Sequence, residues 1–219
     1  MEQEELLNRY GIDLEVLKSE QLKLAKGIEL KNKIDFSLVE SYGAIDNIFI
    51  GKKILSCAIV CDKEFEIIDR AYVLEKIRFP YLAGFRNYRE LEPMITAFNK
   101  LNEKPDVVFI QGHGIAHPRL GLASHFGLST GIPTIGVSNS IFDTEIKGKD
   151  IIKENKKVGK ILKSKKESNP MFVSPGNLIS ISNAYKLSKE TIKLPHKRPE
   201  PIHLASKYAK KVKKELAIN

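Results

Sequence analysis

Cysteine is scarce in this chain, with two in 219 residues, Cys57 and Cys61 in LSCAIVCD. That excludes a disulfide-dense scaffold and a four-ligand zinc site built on thiolates. Within one strand their spacing puts both side chains on the same face, so they read as small apolar core residues. No apolar run approaches the roughly 18 residues of a membrane span. The opening MEQEELLNRYGIDLE is acidic, which argues against a signal or transit peptide. The expected compartment is therefore the cytoplasm, with no membrane partner. No internal repeat and no linker composition interrupts the chain, so one domain over 1–219 is expected, as a monomer.

Apolar residues make up 42% of the chain, enough for an ordinary core. Lys and Arg number 36 against 27 Asp and Glu, an excess that favours a polyanionic partner. The excess is concentrated in KGKDIIKENKKVGKILKSKK (147–166) and in the C-terminal KYAKKVKKELAIN. A lysine run reads equally well as a solvated face.

Periodicity predicts a helix over 2–30, with Leu14, Leu17, Leu24, Ala25 and Ile28 on one side. Three strands follow at short spacing, over 43–51, 53–62 and 65–76, as an antiparallel meander. An amphipathic helix over 89–101 carries Pro93, which is tolerable in a first turn. The wholly apolar DVVFIQ (106–111) reads as a central parallel strand, followed by a helix over 120–131 and a strand over 133–138. A basic hairpin is expected over about 147–174 and a closing helix over 202–216. The fold class is α/β: a mixed sheet with a three-strand antiparallel meander followed by parallel strands, flanked by helices.

Ligands of an open α/β sheet gather at the carboxyl ends of its strands. Three oxygen-bearing side chains are candidates there: Asp46 inside GAIDNIFI, Glu90 at a helix start, and Gln111 at the end of DVVFIQ. Asp46 also suits an exposed strand face, and Glu90 suits a helix N-terminus for dipole reasons alone. Brought together, such groups would hold Mg²⁺, with Mn²⁺ as a substitute, and would support phosphodiester hydrolysis. His113 and His117 in QGHGIAHPR have the spacing of a zinc helix. Gly114 and Pro118 exclude a helix there, and no glutamate intervenes, so a hydrogen-bonding or phosphate-contacting role fits them better.

These residues resemble the endonuclease V family, deoxyinosine-directed nucleases with a ribonuclease H-like fold. GHGIAHPRLGLASHFGL followed by PTIGVS is similar to the family's central block. FVSPGN, RPEPIHLA, FPYLAGFRNYRE, GAIDNIF and SEQLKLA resemble its other segments, so the likeness runs from about residue 19 to 208. It implies that Asp46 and Glu90 are catalytic metal ligands and that Gln111 occupies a third ligand position. It also implies that Tyr81 is a wedge separating bases beside the lesion. The implied reaction is Mg²⁺-dependent hydrolysis of the second phosphodiester 3′ to deoxyinosine in DNA, or beside inosine in RNA for some members. Gly84, Gly112, Gly114 and Gly121 flank the implied base pocket, where backbone groups could read a flipped base.

The chain departs from the family pattern where the chemistry is concentrated. Gln111 stands for an aspartate, Asn139 for a lysine, Asn177 for a histidine and Ser206 for an ionisable group, and Ala83 replaces a proline in the wedge segment. Glutamine can ligate Mg²⁺ through its carbonyl oxygen but brings no charge. At an effective dielectric near 20, unit charges about 4 Å apart interact by roughly 4 kcal/mol, so weaker metal affinity is expected. Asp106 is no substitute, being at the far end of the same strand, on the order of 16 Å away. Three readings stay open: an endonuclease V-type enzyme of reduced activity, a nucleic-acid-binding relative that has lost hydrolysis, and a nuclease directed at inosine in RNA.

Overall fold

Where the chain bends first, glycine decides it. The computed structural model describes residues 2–165 and 167–218. In place of one helix over 2–30 there are two, α1 (Glu2–Tyr10) and α2 (Leu14–Ala25). Gly11 sits at φ +61° between them, a backbone state that other residues adopt at a cost. Asp13 then caps α2, accepting from the backbone N–H groups of Glu15 and Val16.

The meander follows as expected: β1 (Ser41–Ile50), β2 (Lys53–Asp62) and β3 (Ile67–Lys76) pair antiparallel in sequence. Next comes α3 (Arg86–Asn99), which begins three residues before the expected start. Pro93 therefore lies in the helix interior, where its missing N–H leaves the Arg89 carbonyl without its usual helical donor. Strand β4 (Val107–Gln111) pairs parallel with β1, helix α4 (Leu122–Thr130) crosses over, and β5 (Thr134–Ser138) pairs parallel with β4.

The lysine-rich segment is more than an appended hairpin. It forms β6 (Glu145–Lys147), β7 (Asp150–Lys153) and β8 (Lys156–Leu162), which β9 (Met171–Asn177) joins to β5. The result is one nine-stranded sheet in the order β3-β2-β1-β4-β5-β9-β8-β7-β6. Ile151, Val158 and Leu162 are buried while most lysines of this segment face solvent, a charge pattern that also protects the edge strands from stray pairing. Lys166, at the end of that run, lies outside the described residues. The chain closes with α5 (Ile181–Glu190), which periodicity had not indicated, and α6 (Glu200–Ile218).

Both faces of the central sheet are covered. On one, Met94, Ala97, Phe98 and Phe126 of α3 and α4 pack against Ile45, Val108 and Ile110. On the other, Ala184, Leu187, Ile202 and Ala205 of α5 and α6 pack against Ala44, Phe109, Ile135 and Val137. Ala209 and Val212 continue that face onto Leu55 and Cys57. Both cysteines are free and buried, and burial pushes their thiols up to about 12, which suits inert core residues.

Two of the pocket glycines do packing work. A Cβ on Gly114 would collide with the Pro175 carbonyl of β9, and one on Gly121 would collide with the His113 carbonyl. The close approach is used: Ile115 N–H donates to Pro175 O at 2.9 Å, and Gly114 N–H donates to Ser174 Oγ at 2.9 Å. Gly114→Ala is expected to destabilise the fold by about 1–3 kcal/mol, read as a lower Tm in thermal unfolding.

Candidate functional site

Ile45 of β1 lies opposite Ile110 of β4 in parallel register. The next residue on each strand, Asp46 and Gln111, therefore reaches the carboxyl end of the sheet on the face covered by α6. Asp46 Oδ2 accepts a hydrogen bond from Ser206 of α6 at 2.8 Å. Burial pushes the Asp46 carboxyl up, opposed by that hydroxyl and by the charge of Arg198. Glu90 arrives from α3 and is 2% exposed. Its Oε2 accepts from Asn47 Nδ2 at 2.9 Å.

Two arginines occupy the space among these groups. Arg86, one helical turn before Glu90, forks onto it: Nε donates to Oε1, and Nη2 to Oε2 at 2.9 Å. Its Nη1 donates to the backbone carbonyl of Gln111 at 2.9 Å. Arg198 Nη1 donates to the Gln111 side-chain oxygen, also at 2.9 Å. The turn carrying Arg198 is pinned by Glu200, whose backbone N–H donates to Thr191 O at 2.7 Å and whose carboxylate meets His196 Nδ1 at 2.7 Å. Asp46, Glu90 and Gln111 thus gather around guanidinium groups, and among the described residues no hydrogen bond joins them to one another.

Beside this centre lies a cavity of about 340 Å³. Tyr81, Leu82 and Ala83 form its rim with Gly84, and His113, His117, Leu120 and Phe142 line it further. Arg86 lines it too, so one side chain serves both the cavity and the carboxylate centre. Tyr81 is 69% exposed, in position to act on a ligand rather than on the core. Gly84 takes φ +79°, and its carbonyl accepts from Gln21 Nε2 at 3.1 Å and Arg119 Nη2 at 3.2 Å.

Both pocket histidines are held neutral. Burial pushes His117 down to about 3, with His113 and Arg119 adding to the effect. Its Nδ1 accepts the Arg119 backbone N–H at 3.1 Å, which leaves the proton on Nε2, toward Gly84. His113 is lowered chiefly by burial, and its Nε2 meets the Ser140 carbonyl at 2.8 Å. Phe142 packs 4.8 Å from His113 and 5.3 Å from His117, ring centre to ring centre.

Of the residues singled out in the sequence, Tyr81, Gly84, Gly112, His113 and His117 line the cavity, Glu90 and Gln111 are bonded by the arginine pair, and Asp46 bonds Ser206 within reach of the arginines' charge. Gly114 and Gly121 do not line it, because backbone from β9 and from residue 113 takes the space beside them. Asn139 is exposed next to Ser140 without lining the cavity. Asn177 lies away from the centre: it pairs with Thr134 at the opposite end of β5, and its Oδ1 accepts from Glu29 N at 2.8 Å. Asp106 caps the other end of β1, accepting from the backbone of Glu40 and Ser41. Sequence reasoning missed Arg86, Arg198, Gln21 and Arg119. All four lie inside the motif segments, and Arg86 left a further signal, its i, i+4 spacing to Glu90 on a helix.

A central sheet ordered β3-β2-β1-β4-β5, one carboxylate from β1 and one from α3 at its carboxyl end, and an adjoining cavity define an α/β domain of the ribonuclease H-like class. Comparison with known proteins specifies it further. The sequence profile of Endonuclease V matches residues 22–207. Endonuclease V of Thermosipho melanesiensis is 37% identical, covering 96% of this chain and 93% of that protein. The Archaeoglobus fulgidus enzyme is 34% identical over 94% and 96%. The Bacillus subtilis structure superposes with TM-score 0.86 at 25% identity, covering 95% of each chain. Ciona intestinalis Endonuclease V, solved with DNA containing an inosine, gives TM-score 0.83 at 27% identity over 93% and 100%. The chain belongs to the endonuclease V family.

The neutral histidines have a measurable consequence. An unfolded histidine titrates near 6.5 and folded His117 near 3, so the unfolded chain takes up its proton first as pH falls. Stability should drop below about pH 6.5 and level off near 3, by about 2 kcal/mol between pH 7 and 5 from this group. His125, pushed down to about 4 by burial, acts in the same direction. The slope of Tm against pH is expected to be shallower in His117→Gln; parallel curves would show that His117 is not held neutral by the fold.

Proposed function

We propose that this chain recognises deaminated bases in DNA, deoxyinosine first among them, by taking the turned-out base into the cavity beside Tyr81. The observation that carries the reading is that cavity, with its neutral imidazole donor and its backbone edge. Hypoxanthine differs from adenine by an O6 acceptor and an N1–H donor. The His117 Nε2–H is a donor suited to O6, and the backbone around Gly84 and Gly112 offers groups for the rest of the edge. Uncharged imidazoles also avoid setting two further buried charges against an uncharged base. Tyr81 at the rim has the aromatic surface needed to fill a gap in the stack. The exposed lysines of β6 to β8 and α6 supply attraction to phosphate without sequence choice. The Ciona intestinalis relative, solved with inosine-containing DNA, supports the substrate class.

Hydrolysis of the second phosphodiester 3′ to deoxyinosine with Mg²⁺ is what family membership suggests. The donor set here does not fit a divalent cation. Both Glu90 oxygens and the Gln111 side-chain oxygen already accept hydrogen bonds, most of them from guanidinium groups. That geometry favours the second reading for the cutting step, in which recognition is retained and strand hydrolysis is reduced or lost.

Fluorescence anisotropy with matched oligonucleotides in EDTA tests recognition. Affinity for a strand with one deoxyinosine is expected to exceed that for deoxyadenosine by about tenfold or more. Equal affinities would sink the pocket reading. Tyr81→Ala should weaken binding to duplex more than to single strand.

A further inference from the structure

We infer that Arg86 and Arg198 stand in place of a divalent cation, so that this centre grips a strand phosphate by guanidinium and takes no metal ion. Three observations lead there. First, charge at the centre is already balanced: Asp46 and Glu90 bring two negative charges, and Arg86 and Arg198 bring two positive ones. A divalent ion added to this set would lie against two like charges with no third carboxylate to offset them. Second, most of the ligand atoms already accept hydrogen bonds. Arg86 forks onto the buried Glu90, Arg198 holds the Gln111 oxygen, and Ser206 holds Asp46. Third, the neutral Gln111 fits this arrangement better than an acid would. Its backbone carbonyl anchors Arg86 and its side chain anchors Arg198, so one residue orients both guanidinium groups without adding charge.

The two arginines then have different tasks. Arg86 spends three N–H donors on Glu90 and Gln111, which leaves it chiefly a counter-charge. Arg198 has one hydrogen bond among the described residues, to Gln111. Its other N–H groups have no hydrogen-bond partner among the described residues and its charge is felt by Asp46, which leaves them for bidentate contact with a phosphodiester. The phosphate next to a turned-out base would lie there.

The test begins with the intact wild-type chain and Mn²⁺ alone, followed by electron paramagnetic resonance and calorimetry. No Mn²⁺ binding that depends on Asp46 is expected at low-millimolar concentration; an ion held by the His196, Glu200 and His203 group would survive Asp46→Asn and be lost in His203→Ala. One bound ion per chain, abolished by Asp46→Asn, would overturn the inference. In the converse arm, the Arg86→Leu/Arg198→Leu/Gln111→Asp triple variant, checked for folding by circular dichroism, is expected to gain a Mn²⁺ site.

Oligonucleotide binding supplies the second readout. Mg²⁺ should not raise wild-type affinity above that in EDTA, and should lower it only as a counterion competing for phosphate. Arg198→Leu should weaken binding about tenfold and lower the salt slope by about 0.7–0.9, the value for one phosphate contact. Arg198→Lys should recover part of the loss. An unchanged salt slope in Arg198→Leu would overturn the phosphate assignment. Because phosphates carry no sequence information, the Arg198 effect should be equal on deoxyinosine and deoxyadenosine strands. A protein with no inosine preference but with these Arg198 and Mn²⁺ results would refute the pocket reading and leave this one standing.

Discussion

β1 and β4 run side by side with Ile45 opposite Ile110, and that register places Asp46 and Gln111 at the same height at the end of the sheet. A slip of one residue would turn Asp46 to the α3 face and remove it from Ser206 and the charge of Arg198. The apolar residues before it forbid that slip: Ala44 packs under α6 and Ile45 under α3, each in its own cluster. The working end of the molecule is thus held by core packing a few residues away. Helix α3 depends on the same packing, because Met94, Ala97 and Phe98 fix the roll that brings Glu90 inward.

Charge balance decides what that end can do. Glu90 is buried, and a buried carboxylate needs a partner. Here the partner is Arg86 from the same helix, already in place when the helix forms. The local pair satisfies Glu90 without any ligand, and Gln111 extends the arrangement to Arg198. The neighbouring cavity shows the opposite strategy. Its histidines are kept uncharged by burial, so the molecule offers uncharged imidazoles to a base, with Arg86 on the wall shared with the carboxylate centre.

Arg119 ties the cavity to the rest of the fold. It donates to Gln21 of α2 at 2.6 Å and to the Gly84 carbonyl at 3.2 Å, and lies over the Phe85 ring at 4.7 Å. Lys153 of β7 holds the same loop from the other side, donating to the carbonyls of His117 and Pro118. The first helices and the lysine-rich strands thus both serve as braces for the base pocket. One lysine of a run that composition reads as a solvated face is in fact a structural donor.

The alternation and apolar runs of the sequence specified the meander, β4, β5 and the closing helix, because burial on one or both faces is written in every second or fourth residue. The motif segments specified the family and named Tyr81, His113, His117, Asp46 and Glu90, whose places follow from strand ends and helix starts. The break at Gly11 and the early start of α3 were not legible, since each depends on a cap or a contact beyond the window. Arg198 opens the RPEPIHLA motif, but its partner could not be read: it meets Gln111 across 87 positions of chain, and only the return of α6 across the sheet brings the two together. The sequence alone determined that β4 ends in a neutral glutamine, Gln111, where the family resemblance implies an aspartate. Only the tertiary structure decided what fills its place, because long-range hydrogen bonds between polar side chains leave no periodicity for a sequence to show.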